Sequence, residues 1–368
     1  MFQKGSETKN NHFVPKFYLK NFMNENKILY MRDITKGTLH EKKEKELKSV
    51  ASKKNLYSLK TKITTNDISI FCQFFLSKSL NKSSSTKRYK EYNQILAVFL
   101  NNTLTDLLKV TLPNDKELEK KINDFLKENS NDPTISRNQE DLFTFYEGNF
   151  QTPYNKILET GTLSTIKQNS HPQNSAMPLS SNIDHYIMLK VYYFVANALN
   201  TDNKINDPIT NNPYYDLLYY IFIQYFRTNK AINACKISED LLSKCNISQD
   251  AISFLIIHTL PMILLTNLLA DDYSLTLIQN RTNISFITSD NPCINTYSNN
   301  SKECDRSLKH HEFEVYFPLS PKLAILFSKK EEYQQDTLQA SEQQVKYWNK
   351  LIKHNAQRYV FSDSKDAI

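Results

Sequence analysis

Four glycines serve a chain of 368 residues. Folds that bind nucleotides carry phosphate on Gly-rich loops, where the absence of a Cβ lets backbone amides close on the ligand. Neither GxGxxG nor GxxxxGK[ST] occurs, which argues against a kinase, a P-loop NTPase and a Rossmann dehydrogenase. Cysteine is also sparse. The five residues, at positions 72, 235, 245, 293 and 304, are odd in number, irregular in spacing and never arranged as CxxC. With no hydrophobic leader before the first apolar cluster, a reducing cytoplasm is the expected home. The one run long enough to span a bilayer, "AISFLIIHTLPMILLTNLLA" at 251–270, is interrupted by His258, Pro261 and Asn267. Asp250, Asp271 and Asp272 bound it without a basic flank, so it reads as a buried, Pro-kinked central helix rather than a membrane span.

What the chain has in quantity is aromatic: 21 Tyr and 21 Phe, within an apolar content of 40%, enough to bury a large core and to exclude a mostly disordered chain. The net charge is +7. That balance suits a nucleic acid or another anionic partner, and equally a Lys- and Asn-rich composition with no partner behind it.

Apolar spacing divides the chain. "MFQKGSETKN" is polar and reads as part of a disordered tail, residues 1–11. In "NHFVPKFYLKNF", Pro15 opens a short helix carrying Phe17, Tyr18 and Phe22. "KILYMRD" and "TKGTLH" read as two strands with a turn at Gly37. From 66 to 270 the apolar residues recur at helical spacing, with a surface helix over 113–132, a helix closed by Gly161, and a Ser/Asn/Pro-rich loop over 165–182. After 271 the period shortens. "YSLTLIQN", "ISFITSD", "FEVYFPLS" and "KLAILFSKK" predict one antiparallel sheet, followed by a helix over 337–357 and a last strand, "RYVFS". The expectation is one α+β domain over 12–368: an N-terminal motif and hairpin (12–65), a central helical array (66–270), then a sheet and C-terminal helix (271–368), with N- and C-terminal strands together forming a mainly antiparallel sheet.

Two stretches invite a chemical reading. His12 lies within an apolar cluster that needs a place to bury itself. Asp290, in "FITSDNPC", ends a strand inside a turn, where rigid elements present functional groups. Asp and Asn before Pro also make ordinary turns by bonding their own backbone. "NHFVPKFYLKNF" and "FITSDNP", followed by "YFPLSPKLAILFS", resemble an uncharacterised bacterial family, domain of unknown function 4238. His12, Pro15, Tyr18, Leu19, Asn21 and Phe22 match its first motif, and Ser289, Asp290, Asn291 and Pro292 its second. "SVASKKNLYSL", "PLSP" at 318–321 and "NAQRYVFS" at 355–362 resemble its other segments.

The resemblance implies that two motifs nearly 280 residues apart meet in space. On that basis His12 and Asp290 are expected to pair, with the carboxylate raising the His pKa, as a general acid/base unit. Glu147, in "FYEGNF", joins as a third catalytic candidate, and Arg227, in "YFRTN", as a phosphate-binding fork. Tyr18, Asn21, Ser289 and Asn291 complete a substrate-binding set. Phosphodiester hydrolysis of RNA or DNA would suit these residues. It would use either Mg or Mn held by Asp290 and Glu147, or His12 alone as base. The type of protein suggests a bacterial defence effector. A non-catalytic module binding nucleic acid or protein, with His12 and Asp290 as staples, stays open beside it. So does a small-molecule hydrolase. Cys293, Cys304, His310 and His311 lack zinc-ligand spacing. The Tyr-rich helices read as core, and "HEKKEKELK" as a solvated face.

Overall fold

The computed structural model describes residues 10–54, 63–73, 83–101, 139–167, 179–199, 211–234, 238–299, 313–329 and 335–368. The chain starts with β1 (Asn10–His12), α1 (Lys16–Lys20), the hairpin β2 (Ile28–Asp33) and β3 (Thr38–Lys43), and β4 (Ser52–Lys54). Gly37 takes φ +68° in the hairpin turn, as expected there. Helices follow: α2 (Thr65–Phe71), α3 (Ser83–Asn101), α4 (Gln139–Thr160), α5 (Ser164–Lys167), α6 (Leu179–Leu199), α7 (Pro213–Arg227), α8 (Asn229–Ala234), α9 (Glu239–Cys245) and α10 (Gln249–Ala270). The last part holds β5 (Ser274–Gln279), β6 (Thr288–Ser289), β7 (Ile294–Asn295), β8 (Val315–Pro318), β9 (Leu323–Ser328), β10 (Thr337–Gln339), α11 (Glu342–Asn355) and β11 (Tyr359–Ser362). The fold is α+β.

Local chemistry explains the central helices. Asn212 caps α7 by accepting from the Tyr215 amide at 3.2 Å, and Pro213 occupies the first turn, where its missing N–H costs nothing. Ser248 caps α10 in the same way, through the Ala251 amide at 3.1 Å. α10 runs on through Pro261 and is mostly buried among its neighbours, which accounts for its high apolar content on every side. It is the one described helix long and apolar enough to cross a membrane. α4 ends at Gly161, whose φ of +64° suits a helix terminus, while its amide still bonds the Ile157 carbonyl.

Three expectations need correction. The predicted loop over 165–182 contains the helical turn α5 and the first residues of α6, so Leu179 to Asn182 are helical. The strands also form more than one sheet. β10-β5-β9-β8-β7 is one, and its β10–β5 pair is parallel. β3-β2-β11-β6 is a second, and β1 pairs with β4 in a short third ladder. Asn10 and Asn11, placed in the tail by the sequence, lie opposite Lys54 and Lys53 in that ladder. The expected helix over 113–132 and residues 1–9 lie outside the described residues.

Strands of the five-stranded sheet bury both faces. Leu275, Leu277, Val315, Phe317, Ile325 and Phe327 turn toward the helical core. Ile278, Tyr316, Ala324 and Leu326 turn toward α11, where Tyr316 stacks on Trp348 at 5.2 Å. A strand covered twice reads as a continuous apolar run, as "LAILF" does. α11 also covers Val360 of β11, so it wedges between the two larger sheets.

Candidate functional site

Pro15 starts a helix of only one and a half turns, which would not survive alone in water. Side-chain burial holds it: Tyr18 is 1% exposed, and Leu19 and Phe22 are fully covered. The Tyr18 ring stacks on Phe317 of β8 at 5.1 Å. Its hydroxyl lies 2.7 Å from both Thr288 Oγ1 and the Pro318 carbonyl. Asn21 Nδ2 donates to the Tyr154 hydroxyl at 2.8 Å, and that hydroxyl donates to the Leu319 carbonyl at 2.7 Å. The two motifs therefore meet, through Tyr18 on one and Thr288 beside the other.

The C-terminal end of α7 joins them a second time. Arg227 has no solvent exposure. Its Nη1 donates to Glu147 Oε1 at 2.8 Å, its Nη2 to the His12 carbonyl at 2.5 Å, and its guanidinium lies 4.3 Å from the centre of the Phe143 ring. One turn earlier, Gln224 Nε2 donates to the Phe13 carbonyl at 2.7 Å. The next residue, Thr228, donates from Oγ1 to Asn291 Oδ1 at 2.9 Å, and Asn291 Nδ2 continues to the Asn355 carbonyl at 3.3 Å. Consecutive residues of one helix end thus hold the N-terminal segment and the Thr-Ser-Asp-Asn-Pro turn.

Asp290 is 4% exposed and its carboxylate is fully engaged. Oδ1 accepts from the Gln357 amide at 2.8 Å. Oδ2 accepts from the amides of Arg358, at 2.8 Å, and Tyr359, at 3.0 Å. Its own amide bonds the Tyr359 carbonyl at 3.0 Å. Burial pushes this carboxyl above the usual range, and the three amides act against that shift. Ser289, fully buried, accepts the Asn291 amide at 3.1 Å and closes the turn from inside.

These bonds redraw the expected site. No hydrogen bond or ion pair joins His12 to Asp290. The His12 pKa is lowered rather than raised. Burial is the main cause, with Lys16 and Arg227 adding to it, against the carbonyls of Lys48 and Leu47. Its Nε2 is buried without a hydrogen-bond partner. Arg227, expected to meet a phosphate, spends its fork inside the protein. Tyr18, Asn21, Ser289 and Asn291 likewise spend their polar atoms on neighbours. Glu147 is the most open of the charged set, with 22% of its side chain exposed. Among the described residues no group of three His, Cys, Asp or Glu side chains converges to hold a metal, and Asp290 and Glu147 serve different partners. The Cys304, His310 and His311 positions lie outside the described residues.

The sequence of a protein family described as being of unknown function (DUF4238) matches residues 10–253 and 258–366. The chain belongs to that family. No curated protein and no solved structure matches it. The DUF4238 match covers the helices as well as both motifs, so it takes in residues that motif reading missed. Gln224, Thr228 and Tyr154 carry the fastening, and His258 sits beneath it. His258 is fully buried, 5.3 Å from the Phe143 ring centre, with its pKa held to about 3 by burial and the Arg227 charge. A small cleft opens between α4, α6 and α7, lined by Tyr146, Lys190, Asp216 and Tyr219 among others. Neither His12 nor Asp290 lines it.

Proposed function

We propose that this DUF4238 protein is a binding module for an anionic partner, nucleic acid first, in which the N-terminal motif and the Asp290 turn are structural staples. The observation that carries this reading is the Asp290 carboxylate, taken up by three backbone amides of residues 357–359. A carboxylate so engaged fixes a turn and is poorly placed to pull a proton from a substrate. The complete burial of Arg227 supports the same view, and the net charge of +7 supports an anionic partner.

The test is fluorescence anisotropy with labelled single-stranded RNA, transfer RNA and duplex DNA between 50 and 200 mM salt. Binding that weakens steeply as salt rises is expected. Salt-independent or undetectable binding would sink the reading.

A nuclease is the second reading, and one observation favours it: the buried His12 Nε2 that no hydrogen bond satisfies, on a ring whose lowered pKa keeps it neutral near pH 7. A neutral imidazole is the form that acts as general base. Incubating the same RNA with the protein and with His12→Ala separates the two. Cleavage that disappears in a variant with an unchanged melting curve would establish the hydrolase and displace the staple reading.

A further inference from the structure

We propose that Arg32 on β2 and Lys353 on α11 form a phosphate-binding site, through which the protein holds a nucleic-acid backbone. The inference rests on the binding-module reading and names the residues that would meet the ligand.

β2 is an interior strand, paired with β3 on one side and β11 on the other. Arg32 stands between Leu39 and Val360 in register, on the face of the sheet that α11 covers. Its side chain is half-buried, and its Nε is shut off from solvent without a hydrogen-bond partner. Side chains alternate along a strand. The neighbouring acid, Asp33, therefore points to the other face, where it holds Arg358 Nε at 2.9 Å. On the Arg32 face of β3, Glu41 is already paired with Lys365 at 2.8 Å. Among the described residues the Arg32 side chain makes no hydrogen bond or ion pair.

Lys353 lies in the last turn of α11. It too has no ion pair among the described residues. Its neighbours Leu351 and Ile352 pack in one cluster with Val360, the register partner of Arg32, so this end of α11 lies against the Arg32 face of the sheet. Burial lowers the Lys353 pKa first, and the Arg32 charge lowers it further, in keeping with that placement. A cation at a helix C-terminus complements the dipole, and that alone would account for Lys353. It does not account for a half-buried arginine beside it with no acid to answer it. Lys350, one turn earlier, adds a third positive charge to the same end of the helix.

Two cations held together by the fold repel one another unless an anion lies between them. A guanidinium offers a planar fork that matches two phosphate oxygens, and an ammonium adds a mobile point charge. A phosphodiester fits that pair in charge and in donor geometry. It also relieves the repulsion that folding has built in.

The experiment compares the intact protein with Arg32→Gln/Lys353→Gln, and with Lys156→Gln/Lys244→Gln as an equal loss of charge elsewhere. Anisotropy reads single-stranded RNA binding, and melting curves read the effect of pyrophosphate. The site predicts a salt slope lower by about 1.4 in the double variant, since each neutralised phosphate of a single strand contributes about 0.7. Affinity falls roughly tenfold at low salt, while the control pair stays near the parent. Pyrophosphate raises the melting temperature of the parent but not of the site variant. Should RNA bind the parent and the site variant alike, the site is overturned and the binding module stands. Should RNA bind neither while pyrophosphate still stabilises only the parent, the site stands for free phosphate and the nucleic-acid reading falls. Loss of both responses in the parent removes both claims. If the double variant fails to fold, exposed Lys353→Gln alone should lower the slope by about 0.7, and no change there overturns the site.

Discussion

Arg227 closes a buried gap that no other residue type would fill as well. Its fork reaches a carboxylate on α4 and a backbone carbonyl on the N-terminal segment at once, with an aromatic ring against its plane. Removing one partner of such a buried arrangement costs far more than the pair is worth as a pair. Arg227→Ala is expected to lose about 3–5 kcal/mol in urea unfolding. A loss below about 1 kcal/mol would mean that the N-terminal segment is held by other contacts. Asp290→Ala orphans three backbone amides and should cost roughly 3 kcal/mol. The titrating groups give a further check. Unfolded histidines titrate near 6.5, whereas folding lowers His12 and holds His258 to about 3. Below pH 6.5 the unfolded chain takes up protons that the folded chain refuses. Stability from these rings is therefore whole above that pH and is lost as it falls, for His258 down to about 3. His258→Gln should flatten stability against pH between 6.5 and 3, and an unchanged curve would remove His258 from the account. Asp33, lowered to about 2 by the Thr35 hydroxyl and then Arg358, adds stability that is whole above about pH 4. That part is lost as pH falls through about 2.

At the scale of elements, α1 is too short to hold itself and is defined by what it touches. Tyr18→Phe keeps the ring stacked on Phe317 and removes only the hydroxyl shared by Thr288 and Pro318. A loss of about 1–2 kcal/mol is expected, with faster amide exchange in β6 and β8 as the specific sign. Exchange unchanged in those strands would detach α1 from the turn. Most helices were legible in the sequence because their apolar periodicity is strong, and Gly37 and Gly161 marked the turn and the helix end they occupy. The helical parts of 165–182 are not legible because Ser and Asn residues favour turns yet are also accommodated in the first turn of a helix, as Ser180, Ser181 and Asn182 are. The existence of the C-terminal strands was legible, but their partition into sheets was not. Hydrophobic alternation shows which face is buried and is silent about which neighbour supplies the hydrogen bonds.

For the whole molecule, the union of the two motifs was legible in the sequence, whereas the partners of His12 and Asp290 at their junction were not. His12 and Asp290 are polar residues in apolar settings, and that pattern is shared by acid/base pairs and by staples. The partners are what the sequence leaves out: three amides for Asp290, and cations and carbonyls around His12. Thr228 and Gln224 gave no warning, because a single hydroxyl or amide on a Tyr-rich helix looks like any other. Shape should depend on the N-terminal segment accordingly. A chain lacking residues 1–22 loses Phe13, Val14, Tyr18, Leu19 and Phe22 from the core. It is expected to bind a hydrophobic dye and lose near-ultraviolet dichroism while keeping its helical signal. A fully native spectrum would contradict the fastening described for α7.

The hairpin β2–β3 pairs with β11, and Arg358 meets Asp33 across 325 residues of chain. During synthesis at about 5–20 residues per second, that hairpin waits roughly 15–65 seconds for its partner to leave the ribosome. Throughout that interval Leu29 and Met31 have nothing from β11 to pack against. The nascent protein is thus expected to carry an unfinished sheet face for most of its synthesis, and codons that slow its translation should lower its yield before they alter any property of the finished fold.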